Sequence, residues 1–249
     1  MNDATTPGVP LSAPLYKEIK RELMEALTAG EWKPGEAIPA ERRLSARYGV
    51  SIGTVRKAID ELVAENILIR QQGRGTFVAS HNRDRLLFYF FHIVPQAGDK
   101  SYPEVEFVRF VRGRADREMA EHFGIAVGDP VFRARNRLRL TGVPVMIDDI
   151  IVPAARFPGL SLAQFRDRPS TIYNLYQEAF GISVVNTSER LRATLADAEF
   201  AALLAISPGD PLLQIRRLAR TYNDVTVEYR VSQVNTHQHE YWAEIGSNA

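Results

Sequence analysis

Cationic side chains crowd one stretch of the chain, PAERRLSARYGVSIGTVRKAIDELVAENILIRQQGRGTFV from Pro39 to Val78. Arg42, Arg43, Arg47, Arg56, Lys57, Arg70 and Arg74 outnumber the acids Glu41, Asp60, Glu61 and Glu65 there. Guanidinium and ammonium groups bind phosphate oxygens by charge-assisted hydrogen bonds. Ser51, Ile52, Thr54 and Arg56 fall on the first turns of a predicted helix. Those turns meet base edges and phosphates when such a helix enters a major groove. Arg42 opens the preceding helix and is placed to reach the flanking strand. Gly73 and Arg74 sit at the tip of a two-strand finger, where a bare amide and a guanidinium can approach phosphate or a minor groove. The chemistry is non-covalent: phosphate neutralisation and groove reading.

The elements that must position these groups are legible. From Leu15 to Ala29, apolar residues recur at Leu15, Ile19, Leu23 and Leu27, so this is an amphipathic helix closed by Gly30. A second helix is predicted over Ala40 to Tyr48, with Gly49 at a position suited to a left-handed backbone. Ser51 caps a third helix, which buries Val55, Ile59, Leu62 and Val63 and runs to about Asn66. Ile67 to Arg70 and Thr76 to Ala79 read as strands around QQGRG.

Composition bounds the rest. A chain of 249 residues, 45% hydrophobic and 24% charged, has material for two ordinary domains. A net charge of +1 is no obstacle, because a DNA reader needs a local patch. The absence of cysteine excludes disulfides, thiolate metal sites and a cysteine nucleophile. No apolar run approaches the length of a membrane span. The opening MNDATTPGVPLSAPLY lacks the pattern of a secretory signal and reads as a disordered arm. No phosphate loop, Gly-X-Ser-X-Gly elbow or His-Glu-X-X-His pattern is present. His237 and His239 with Glu240 lack a third ligand at defined spacing, so no metal site is assigned. Asp148 and Asp149 read as partners for arginines rather than an acid/base pair.

The second half contains a repeat. RGRADREMAEHFGIAVGDPVFRARNRLRL, from Arg112, and RLRATLADAEFAALLAISPGDPLLQIRRLAR, from Arg190, share an Ala-Asp helix cap, a short helix, a Gly-Asp-Pro turn and an Arg-bearing strand. Two such copies predict an α+β domain with pseudo-twofold symmetry and one antiparallel sheet. Thr171 to Phe180 adds a helix ended by Gly181. Arg133, Arg135, Arg137 and Arg139 alternate, so they share one strand face. Two readings stay open: an anion-binding row in a pocket, or an outer face paired with acids of neighbouring strands.

These residues also carry a family resemblance. Leu15 to Val78 resembles the winged helix-turn-helix of GntR-type regulators through PLYKEI, PAERRLSARYGVS, TVRKAIDELVAENIL and QGRGTFV. The resemblance implies DNA contacts at Arg42, Ser51, Ile52, Thr54, Arg56 and Gly73. Ile52 departs from the many members with arginine there and cannot make a bidentate bond to guanine. The second half is similar to the UTRA effector domain of the HutC branch through RLRLTGVPV, TIYNLYQEAFG, GDPLL and VEYRV. That similarity implies an effector pocket involving Arg137, Arg139, Ser170, Thr171, Tyr173 and Glu228. It implies a related fold in chorismate lyase as well. VNTHQHEYW replaces the family's usual segment, so Val234, Asn235 and His237 stand where pocket-shaping groups are common.

The resulting expectation is a fold of class α+β. It has an arm at 1–13, a winged helix-turn-helix at 14–79, a linker at 80–84 and a UTRA-like, chorismate-lyase-like domain at 85–246. The expected function is a repressor of the bacterial cytoplasm, without cofactor or catalytic residue. It would bind a pseudo-palindromic operator as a homodimer and answer to a small anionic effector. Alternatives are an enzyme of the lyase-like fold and a constitutive dimeric DNA-binding protein.

Overall fold

A computed structural model gives the fold. It describes residues 14–80 and 90–243. The expected arm, most of the expected linker, and the outermost residues of the expected second domain lie outside that set. The chain divides into two compact units after Ala79.

In the first unit, α1 (Leu15–Thr28) buries Ile19, Leu23 and Leu27, one stripe at helical spacing. Leu15 is exposed, against expectation, because it begins the helix one turn before that stripe meets its partners. Helix α2 (Glu41–Tyr48) buries only Leu44 and ends at Gly49, whose φ of 66° is the left-handed conformation glycine adopts without strain. Ser51 caps α3 (Ile52–Ala64), its hydroxyl accepting from the Thr54 amide at 3.1 Å. Val55, Ala58, Ile59 and Leu62 fill its buried face, while Val63 is only partly covered. Strands β1 (Leu68–Gln71) and β2 (Gly75–Val78) pair antiparallel, each displaced by one residue from the expected bounds. The connection after α1 joins this ribbon: Ile38 donates its amide to the Thr76 carbonyl at 2.9 Å.

The second unit is built on six antiparallel strands. They are β4 (Glu104–Arg114), β5 (Pro130–Leu140), β6 (Val143–Pro153), β7 (Asn186–Leu195), β8 (Pro211–Thr221) and β9 (Val225–Asn235), in the spatial order β4-β5-β6-β9-β8-β7. The repeat is thus a physical symmetry: three strands from each copy meet at the β6/β9 seam. Its details repeat too. Asp116 accepts from Met119 N at 2.9 Å to cap α4 (Arg117–Phe123), and Asp197 accepts from Phe200 N at 2.8 Å to cap α7 (Ala198–Leu204). Gly128 N and Gly209 N each donate, at 2.8 Å, to the alanine carbonyl before the cap.

Both sheet faces are covered. Helices α4 and α7 lie over the odd-numbered residues of β5 and β6, against Val131, Ile147 and Ile151. The opposite face carries α5 (Leu162–Arg166), α6 (Ile172–Phe180) and an aromatic core of Phe90, Phe157, Phe165, Tyr173 and Tyr176. Two short strands, β3 (Ile93–Pro95) and β10 (His239–Tyr241), pair antiparallel beside it.

Candidate functional site

Four of the seven DNA-contact candidates border one concave surface in the first unit. Arg42 comes from α2, Ile52 and Arg56 from α3, and Arg74 from the ribbon tip. Ser51 and Thr54 stand on the same first turn of α3, their hydroxyl oxygens 2.9 Å apart. Gly73 has a φ of 71°, and no atom lies within 4 Å of where a Cβ would stand. Its glycine is required by backbone conformation, not by crowding. Arg74 lies over the Phe77 ring at 5.8 Å, which orients it along the finger. Arg56 is held in advance: its Nε and Nη2 both donate to Glu41 Oε2, at 2.9 and 2.8 Å. The carboxylate raises the Arg56 pKa, so this exposed guanidinium keeps its charge. Ile52 is exposed although large and apolar, at the very start of α3. It offers a methyl contact where a guanidinium would offer a fork.

In the second unit a cavity of about 350 Å³ opens between the sheet, α5, α6 and the segment Phe90 to Ile93. Its floor comes from even-numbered residues of β5 and β6, namely Asn136, Leu138, Met146, Asp148 and Ile150. Four arginines border it: Arg166, Arg168, Arg217 and Arg230. Ser170 and Thr171 border it at the start of α6. Thr171 caps that helix by accepting from Asn174 N at 3.1 Å, which leaves its hydroxyl proton available to a ligand. A helix start of this kind favours an anion.

Most of the arginines are already engaged. Arg230 donates to both Glu228 oxygens and to Asp148 Oδ2. Arg217 donates to Glu189 Oε1 at 2.5 Å and to the Phe90 carbonyl. Burial alone would lower the Arg217 pKa, but Tyr173 and Glu189 hold it raised. Arg166 pairs with Asp167. Arg168 differs. Its Nη1 donates to the Phe165 carbonyl, its guanidinium sits over the Phe165 ring at 4.9 Å, and its buried Nε has no partner. Burial lowers its pKa, yet an arginine so placed stays charged.

Sequence reasoning and structure part company at several of these residues. Arg137 and Arg139 do not reach the cavity. With Arg133 and Arg135 they project from the opposite face, because the cavity floor uses the even-numbered residues of the same strand. There Arg137 grips Glu106 through Nε and Nη2, at 2.9 and 2.6 Å. Arg139 Nη1 donates to the Gly142 carbonyl at 2.9 Å, and Arg135 makes a two-pronged pair with Asp149. Tyr173 and Glu228 do not border the cavity; both are buried, with the tyrosine hydroxyl 3.2 Å from the carboxylate. Val234 is part of an apolar core and His237 is exposed, so neither shapes the cavity; Tyr241 does.

Arg168, Arg217, Arg230 and Asn136 were missed. One signal existed. Arg217 interrupts an apolar phase, Ile215 and Ala219, and a charged residue in such a row must be paired or must face a ligand.

A helix-turn-helix with a glycine-tipped wing, joined to a sheet domain with an arginine-bordered cavity, defines a ligand-responsive DNA-binding regulator. Residues 15–78 match the model described as bacterial regulatory proteins, gntR family, and residues 99–240 match the UTRA domain. The histidine utilization repressor of Klebsiella aerogenes is 32% identical over 207 residues, 82% of this chain and 84% of that one. Among solved structures, a ligand-binding domain assigned to the GntR family from Bordetella bronchiseptica is 31% identical with a TM-score of 0.60. It covers 64% of this chain and 99% of that one. PhnF from Mycobacterium smegmatis is 26% identical with a TM-score of 0.55 over 92% of this chain and 100% of that one. The chain belongs to the GntR family of transcriptional regulators, in the branch that carries a UTRA domain. That family regulates transcription, and the alternative of a lyase-like enzyme falls away. Among the described residues, no helix is long and apolar enough to cross a membrane.

Proposed function

We propose that this regulator is a repressor whose operator affinity is set by a small anion in the sheet cavity. The observation that carries the reading is the meeting of Arg168 with the Ser170 and Thr171 hydroxyls and the α6 amides at one cavity. Two copies would place two α3 helices on a pseudo-palindromic operator, one helical turn apart. Arg42, Ser51, Ile52, Thr54, Arg56, Gly73 and Arg74 would make the contacts. The setting would be the bacterial cytoplasm, with the protein on the nucleoid when bound. The anion acts only through different affinities for two arrangements of the protein, one competent for DNA and one not.

The test is a band-shift titration of the full chain on its own upstream DNA at several salt concentrations. Anionic metabolites are then added at fixed salt. Affinity should fall steeply with salt, as phosphate neutralisation requires, and one class of anion should release the DNA. Salt-insensitive binding, or release by no anion, would overturn the proposal.

A further inference from the structure

The arrangement of charge around the cavity goes further than "an anion". We infer that the natural ligand is a monoanionic carboxylate on an apolar, ring-sized body that also carries one hydrogen-bond donor, and that a sugar phosphate is excluded. This rests on the reading of the cavity as the effector site.

Charge comes first. Arg217 faces Glu189, Arg230 faces Glu228 and Asp148, and Arg166 faces Asp167. Glu104 stands at the rim. Among the described residues, Arg168 forms no ion pair with a carboxylate. Arg168 is therefore the one arginine of the four that can take an anion without giving up a carboxylate, and the acids around the site leave no second positive charge over. A carboxylate carries one negative charge and matches the forked edge of a guanidinium. A phosphate monoester carries nearly two. Its second charge would have to pull Arg217 or Arg230 from a buried acid, leaving that acid unpaired.

Two buried polar atoms at the cavity lack partners: Arg168 Nε, a donor, and Asn136 Oδ1, an acceptor. Buried polar groups are normally satisfied, so such pairs of orphans mark what a ligand brings. The first asks for an acceptor, which the carboxylate supplies. The second asks for a hydroxyl or N–H.

The walls complete the argument. Leu138, Met146, Ile150 and Ile215 line the cavity with Phe90 and Phe107. A ring packs well against such groups. These six side chains offer the hydroxyls of a sugar no partner. A cavity of about 350 Å³ lies within the roughly 300–1,000 Å³ range of small-ligand pockets, which suits a substituted ring acid.

Calorimetry and thermal shift on the full chain test this with five probes: 4-hydroxyphenylacetate, phenylacetate, 4-hydroxyphenylethanol, glucose 6-phosphate and inorganic phosphate. 4-Hydroxyphenylacetate should bind at least 10-fold tighter than any other. Arg168→Met should cost its binding at least 10-fold while leaving the melting temperature of the unliganded protein equal or higher. Asn136→Leu should erase the difference between 4-hydroxyphenylacetate and phenylacetate. Tighter binding of glucose 6-phosphate than of every ring acid would overturn the ligand class and keep the anion reading. Failure of all five to bind, with DNA release still caused by some other anion, would overturn the ligand class alone, and release by no anion would overturn both. Unchanged 4-hydroxyphenylacetate affinity in Arg168→Met would overturn the assignment of that residue.

Discussion

Arg230 and Glu228 meet edge to edge on β9, with Nε donating to Oε1 at 2.9 Å and Nη2 to Oε2 at 3.1 Å. The Tyr173 and Tyr176 hydroxyls add donors at 3.2 and 2.7 Å, so this fully buried carboxylate has four. Burial and the Glu228 charge push the Tyr173 phenol up to about 12, which keeps it a donor. Arg230 Nη1 continues the chain to Asp148, and Ser232 donates to the other Asp148 oxygen at 2.5 Å. The network fixes Arg230, Asp148 and Ser232, which line the cavity. Glu228→Ala should therefore cost about 3–5 kcal/mol, the loss typical when one partner of a buried pair is removed. Urea unfolding of the full chain would measure it. Were Glu228 instead a direct effector contact, the variant would lose ligand affinity at unchanged stability.

The head domain makes its own prediction. Arg56 must leave Glu41 to reach phosphate, so its net contribution is that of one exchanged ion pair. Arg56→Ala and Arg74→Ala should each weaken operator binding by ~1 kcal/mol and lower the salt slope by about 1. Ile52→Arg should instead change which bases are preferred, by about 1–3 kcal/mol at one position, since it adds a fork that can read guanine. Selection from randomised duplexes would show it. An unaltered base preference would place residue 52 off the groove.

How legible was this in the sequence? Helix ends were, because glycines with positive φ and side-chain caps act locally: Gly49, Gly181, Ser51 and Asp197 each set a boundary where expected. The repeat was legible because each copy must fold the same way against the shared seam. The cavity was only half legible. Alternation shows that Arg133 to Arg139 share a face, but not which face meets the cavity, and here helices cover both. Arg217 and Arg230 were hidden because their partners, Glu189 on β7 and Asp148 on β6, are distant in sequence.

That correction changes what Arg137 should do. It sits with Glu106 at the edge of the sheet, partly exposed, on the face away from the cavity. Arg137→Ala should cost at most ~1 kcal/mol, as exposed ion pairs do, and should leave effector-driven DNA release intact. The pair of measurements is a denaturation curve and a release assay. Loss of release at unchanged stability would return Arg137 to the site.

Acid should weaken the second unit through its histidines. His92 borders the cavity, and burial lowers its pKa; nearby Glu189 raises it, while Arg217 and Lys100 lower it further. Burial lowers His239 as well. A histidine with a depressed folded pKa binds its proton more readily in the unfolded chain. Its stabilising effect is complete above the unfolded value near 6.5 and is lost as pH falls below it, until the folded form also protonates. Glu189, depressed because Arg217 and Tyr241 outweigh its burial, works in a lower window, below the ordinary glutamate range. Unfolding free energy should thus fall between pH 6.5 and 5, at no more than about 1.4 kcal/mol per pH unit for each histidine. His92→Gln should reduce that slope and leave the residue due to His239. A flat profile for the unaltered protein over this window would show that neither imidazole is held neutral by the fold.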